Sequence, residues 1–109
     1  MLNPIEALIQ RQVERFQQGL QQALNELAAA EVEASVGQGA VRVKMSGLGE
    51  VLAVEISDDA LSSIDRQQLQ ELLRECFQEA MQRSRQLKRD KIAQHTPLGA
   101  LGIELPDIL

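Results

Sequence analysis

From Val32 to Ile56 apolar and polar residues alternate in three short runs, and that alternation limits the possible folds more than any other feature of the chain. Val32, Ala34 and Val36 are separated by Glu33 and Ser35; Val41, Val43 and Met45 by Arg42 and Lys44; Leu52, Val54 and Ile56 by Ala53 and Glu55. A period of two with one apolar face predicts three strands of a sheet covered on one side. Gly37-Gln38-Gly39 and Gly47-Leu48-Gly49 stand at the joints. Glycine there can take the positive φ that a tight hairpin demands, so both connections are expected to be antiparallel hairpins. A lone meander cannot keep an apolar face in water, so helices from the flanks must lie on it.

Both flanks supply a helix. Asn3-Pro4-Ile5-Glu6 is a helix start, with Asn3 as N-cap, Pro4 in the first turn and Glu6 three residues after the cap. Downstream, Ile9, Val13, Phe16, Leu20, Ala23, Leu27 and Ala30 recur at alternating spacings of four and three, the seam of a coiled-coil-like contact. Gly19 interrupts this helix and marks a bend or a close helix contact. After the strands, Ser57 to Leu61 reads as a turn or a single helical turn, and Asp65 with Gln68 makes a second capping pair. The helix that follows carries Leu69, Leu72, Leu73, Cys76, Phe77, Ala80, Met81, Ser84 and Leu87 on one face. The expected class is α+β: long helix, three-stranded antiparallel meander, long helix, in one domain over residues 1–95. Residues 96–109 form a hydrophobic Pro/Gly tail, PLGALGIELPDIL after Thr96.

A strand of six residues spans roughly 20 Å, whereas helices over Pro4–Ala30 and Arg66–Gln94 run about 40 Å each. The helices overhang the sheet, and their apolar stripes run on into the overhang. An identical copy is the expected cover, giving a two-fold dimer with Ile9, Val13, Phe16, Leu20, Met81 and Leu87 at the interface; the alternative, an antiparallel pairing of the two helices within one chain, would leave the sheet only partly shielded.

Several function classes are excluded by what the chain lacks. Its 109 residues hold no apolar run near the ~18 residues of a membrane span and no basic-then-apolar leader, which points to a cytoplasmic protein with no membrane partner. The single cysteine, Cys76, sits among inward-facing helix positions and is expected to be a packed thiol. The single histidine, His95, has no cysteine or second histidine with which to share a metal, and no metal or cofactor is expected. Neither glycine pair opens a helix as a phosphate loop would, Asp58-Asp59 are turn residues, and Ser57, Ser62 and Ser63 lack a nucleophile elbow. No catalysis and no small-molecule substrate is expected.

Charge is distributed unevenly. The net charge is −5, and the acidic excess falls on residues 50–79, where eight acids meet two bases. Arg83, Arg85, Lys88, Arg89 and Lys91 then crowd the end of the second helix, while Arg42 and Lys44 stand on the polar face of the middle strand. Acid first and base last also complements the helix dipole, so the gradient alone does not prove a binding surface.

The order of elements, together with Leu27–Val32 (LAAAEV), the run Gly37 to Gly47 (GQGAVRVKMSG), Val54-Glu55-Ile56-Ser57 and Asp59-Ala60-Leu61, resembles the YbaB/EbfC family of small bacterial nucleoid-associated proteins. The likeness covers nearly the whole chain. A glutamine-rich first helix stands where many members have methionine and lysine, and Ser57-Asp58 where many have Asp-Pro. The resemblance implies a homodimer, located at the nucleoid, that binds double-stranded DNA and alters its conformation. On this chain the DNA-binding residues would be Arg83, Arg85, Lys88, Arg89 and Lys91, with Arg42 and Lys44. Phe16 and Phe77 are the only aromatics and both lie on apolar stripes, so no stacking platform for single strands is available. Without a helix-turn-helix or zinc spacing, duplex binding should be low in sequence specificity. The alternative is a non-catalytic homodimeric protein-interaction module that has lost DNA binding.

Overall fold

The computed structural model describes residues 3–97. The hydrophobic tail expected after Thr96 falls, beyond Pro97, outside the described residues. The elements are α1 (Pro4–Ala29), β1 (Glu31–Val36), β2 (Val41–Ser46), β3 (Val51–Ile56), α2 (Asp58–Ser63) and α3 (Arg66–His95). The expected helix–meander–helix order is present, with α2 as a short helix where a turn or single helical turn was expected.

The caps explain the boundaries. Asn3 accepts the Glu6 amide, Ser57 the Ala60 amide, and Asp65 and Gln68 form a reciprocal capping box at the start of α3. The end of α1 has neither a basic last turn nor a glycine cap. Its open carbonyls are met instead by the β2–β3 hairpin, whose Gly47 amide donates to Leu27 O (3.0 Å) and Ala30 O (3.1 Å). A Cβ at Gly47 would lie 2.7 Å from Leu27 O, so this glycine is required for close approach and not, as the sequence suggested, for a positive φ. The β1–β2 hairpin does use left-handed backbone, at Gly37, Gln38 and Gly39 in succession.

The sheet order is β1-β2-β3, antiparallel throughout. Its apolar face forms three rows: Val32, Met45 and Val51; Ala34, Val43 and Val54; Val36, Val41 and Ile56. The first row corrects the expected alternation. Lys44 pairs with Ala53 but Met45 pairs with Val51, so Leu52 is the extra residue of a β-bulge and Val51 takes its place.

The two helices divide the covering. The N-terminal half of α3 lies across β1 and β2, sealing Ala34, Val41, Val43 and Met45 under Cys76 and Ala80. Its C-terminal half leaves the sheet and pairs antiparallel with α1, burying Ala23 and Leu27 on one side and Ser84 and Ile92 on the other. Ser84 Oγ donates to Ser46 O at 2.9 Å and fixes α3 where it departs from β2. Gly19 meets the last carbonyls of α3, so the close contact is the correct reading of that residue. Residues 4–18 of α1 extend past this point as a projecting arm, and the molecule measures 71 × 22 × 16 Å. Among the described residues, apolar side chains left exposed include Ile5, Leu8, Ile9 and Val13 on the arm and Val51 and Val54 on β3.

Candidate nucleic-acid interface

The seven expected DNA contacts do not form one surface. At 100° per residue, Arg85, Lys88 and Arg89 fall within about a third of the circumference of α3; Arg85 is exposed, whereas Lys88 and Arg89 are half-buried, and Lys88 stands between the buried Ser84 and Ile92 on the stripe that meets α1. Among the described residues no hydrogen bond or ion pair occupies Arg85 or Lys88, and Arg89 donates to Gln86 at 3.1 Å. Arg85 and Arg89, one turn apart, line a shallow polar groove with Glu79, Gln82, Arg83 and Gln86. Three cations in one stretch present the density that a phosphate backbone recognises, opposed by Asp90 on the same stretch and Glu79 in the same groove.

Arg83 is employed differently. Its guanidinium donates to the Glu33 backbone carbonyl on the open edge of β1 and pairs with Glu79 at 2.7 Å. It therefore blocks a strand edge that could otherwise pair with another chain. Lys91 turns toward α1, where its ammonium lies 3.5 Å from Glu26 Oε2. Glu26 also accepts from His95 Nε2 at 2.6 Å. That hydrogen bond from His95, aided by the charges of His95 and Lys91, holds the Glu26 carboxyl below the ordinary carboxylate range despite some opposing desolvation. Arg42 and Lys44 stand on the polar face of the sheet, opposite Glu55 and Glu33 in register. Acids on both outer strands offset these two charges.

The structure adds two cations. Arg11 and Arg15 are exposed and one turn apart on the α1 arm, beyond the end of α3. The net −3 charge of the first 34 residues concealed them. The spacing of four was the signal available.

The six expected interface residues are also divided. Leu20 and Leu87 are half-buried on the stretch where α1 and α3 pair. Ile9, Val13 and half-buried Phe16 lie on the arm. Met81 is exposed on a flank of α3, about 160° around the helix from Arg83. Because Arg83 reaches β1, helix geometry puts Met81 and its half-buried neighbour Phe77 on the side of α3 away from β1. Val51 and Val54 are 50% and 44% exposed, although the alternation of the third strand assigns Val54 to the face that the helices cover.

Cys76 donates to the Ala34 carbonyl at 3.3 Å, and burial pushes its thiol above the ordinary value. It is a core residue. No described helix is long and apolar enough to cross a membrane.

Comparison with known proteins agrees with this architecture. The family model described as the YbaB/EbfC DNA-binding family matches residues 5–100. A nucleoid-associated protein of Methylococcus capsulatus is 40% identical over 103 residues, covering 94% of this chain and 92% of the relative. Another from Corynebacterium urealyticum is 33% identical over 95 residues, covering 87% and 90%. The crystal structure of an uncharacterized protein from Helicobacter pylori has the same fold, with a TM-score of 0.69 at 17% identity over 83% of this chain and 92% of that one. This chain belongs to the YbaB/EbfC DNA-binding family.

Proposed function

We propose that this protein is a homodimeric nucleoid protein that holds duplex DNA by its phosphates through the C-terminal half of α3 and the α1 arm, with little sequence preference. The observation that carries the reading is the run of cations Arg85, Lys88 and Arg89, led by exposed Arg85, on a helix that has left the acidic sheet region, in a chain of a DNA-binding family. Arg11 and Arg15 add two exposed cations on the arm, with Glu14 between them. Among the described residues no helix-turn-helix recognition helix is present to reach base edges, so contact is to the backbone. The nucleoid-associated names of the relatives support the same location for this chain.

The second copy supplies what one copy lacks. Val51, Val54, Phe77 and Met81 form an apolar flank at the open side of the sheet, and a two-fold partner laid against it covers these residues and doubles the cations. On this reading the dimer contact lies on the sheet flank, with Met81 kept from the expected set, and the arms are left to project. Two arms contacting one duplex give the protein a means of altering its path.

Charge reversal tests the DNA surface. Arg85→Glu with Arg89→Glu should remove the gel shift of a long mixed-sequence duplex while sedimentation still shows two copies. Retained binding would mean that the contact lies elsewhere. Val54→Glu should yield single copies of 12.1 kDa; a dimer that survives it would remove the sheet flank from the interface.

A further inference from the structure

The junction of α1 and α3 contains a carboxylate that the proposed function does not use. Among the described residues Glu26 is the one acid of α1 paired across to α3, and a single oxygen, Oε2, serves both Lys91 and His95. The Lys91 and His95 side chains are 29% and 15% exposed, so both are drawn into the α1–α3 junction. A phosphate approaching Lys91 would meet Glu26 within a few ångströms, where two anions repel strongly at the reduced dielectric of a half-buried site. From α1 and α3, the elements packed around this carboxylate, Lys91 and His95 are the charged or titratable groups that act on it.

We infer that Glu26 is an internal competitor for DNA, a carboxylate standing where a phosphate would otherwise stand, which withholds Lys91 from the duplex. This rests on the DNA-binding reading and specifies one element of it. Lys91, expected from sequence to be a contact, is silent in the wild-type protein, and neutralising Glu26 unmasks it. Glutamine is the suitable replacement, because it keeps the shape and an oxygen that can still accept from His95 while removing the charge.

The test is a double-mutant cycle read by duplex affinity as a function of salt. Every additional phosphate neutralised steepens the log–log salt slope by about 0.9, so Glu26→Gln should bind more tightly and steepen the slope by about 1.8 for a dimer. Lys91→Ala alone should leave the wild-type slope unchanged, and Glu26→Gln with Lys91→Ala should return to it. An unchanged slope in Glu26→Gln, with wild type binding normally, overturns the inference and leaves the DNA reading intact. A flatter slope in Lys91→Ala alone also overturns it, and that measurement does not depend on how well Glu26→Gln folds. If neither wild type nor Glu26→Gln shifts duplex at 50 mM salt, both readings fall together.

Discussion

Replacing Gly19 with alanine sets two effects of opposite sign against each other, and the structure decides between them. In an isolated helix the change would be favourable by roughly 1 kcal/mol, since glycine in a helix interior costs about that much relative to alanine. Here a Cβ on residue 19 would lie 1.7 Å from the His95 carbonyl oxygen and 2.9 Å from its carbon. These are backbone atoms at the end of a 30-residue helix, so no side chain can rotate away to make room. The helices must separate by an ångström or more, opening the buried contact made by Ala23, Leu27 and Ile92. Overpacking of a tight core contact costs about 1–3 kcal/mol before loss of the neighbouring packing is counted. The net expectation is destabilisation by about 1–2 kcal/mol, and a domain near 100 residues loses roughly 4–8 °C in Tm per kcal/mol. Thermal melting by circular dichroism, with urea unfolding as a check, measures it directly. A Gly19→Ala protein as stable as wild type, or more so, would mean that α1 does not rest on the end of α3 and that the projecting arm is placed wrongly.

Three further outcomes follow from named contacts. The Glu26 carboxyl is held below its unfolded value, so its contribution to stability is present above the unfolded carboxylate range near 4.5 and is lost as pH falls through the lower folded value. Wild type should therefore exceed Glu26→Gln in Tm at neutral pH and converge with it in acid. A gap that widens on acidification would contradict the pairing. Ser84→Ala should cost about 1 kcal/mol in urea unfolding, because it removes a buried donor while Ser46 O keeps its bond from the Gly49 amide. Cys76 should resist thiol reagents in the native protein and react fully in denaturant; rapid native labelling would place it outside the core.

Much of the fold was legible because its signals are local. Alternation in Val41–Met45, the caps at Asn3 and Asp65 and the glycines at 37 and 39 each depend on near neighbours, and the elements formed where they indicated. The bulge at Leu52 escaped because Val51, Leu52 and Val54 are all apolar, and only pairing with Met45 decides which of them faces the helix. The basic surface was legible as a composition but not as a geometry. Arg83, Lys88 and Lys91 look alike in the sequence, yet one caps β1, one is half-buried between Ser84 and Ile92 and one is held by Glu26. The partner of His95 lies 69 residues away in sequence, and no periodicity could have brought the two together. The apolar flank was hidden in the same way, since Val54 looks buried until the position of α3 shows that β3 is left bare.

The central claim, that duplex DNA is held electrostatically by the cations of α3 and the α1 arm, doubled in a dimer, is tested most directly by the salt dependence of binding to a long mixed-sequence duplex. With six to ten phosphate contacts per dimer, log affinity should fall linearly with log salt at a slope between about −5 and −9, a loss of roughly 10³ to 10⁵ between 50 and 200 mM. No shift at 50 mM, or a slope near zero, would contradict it.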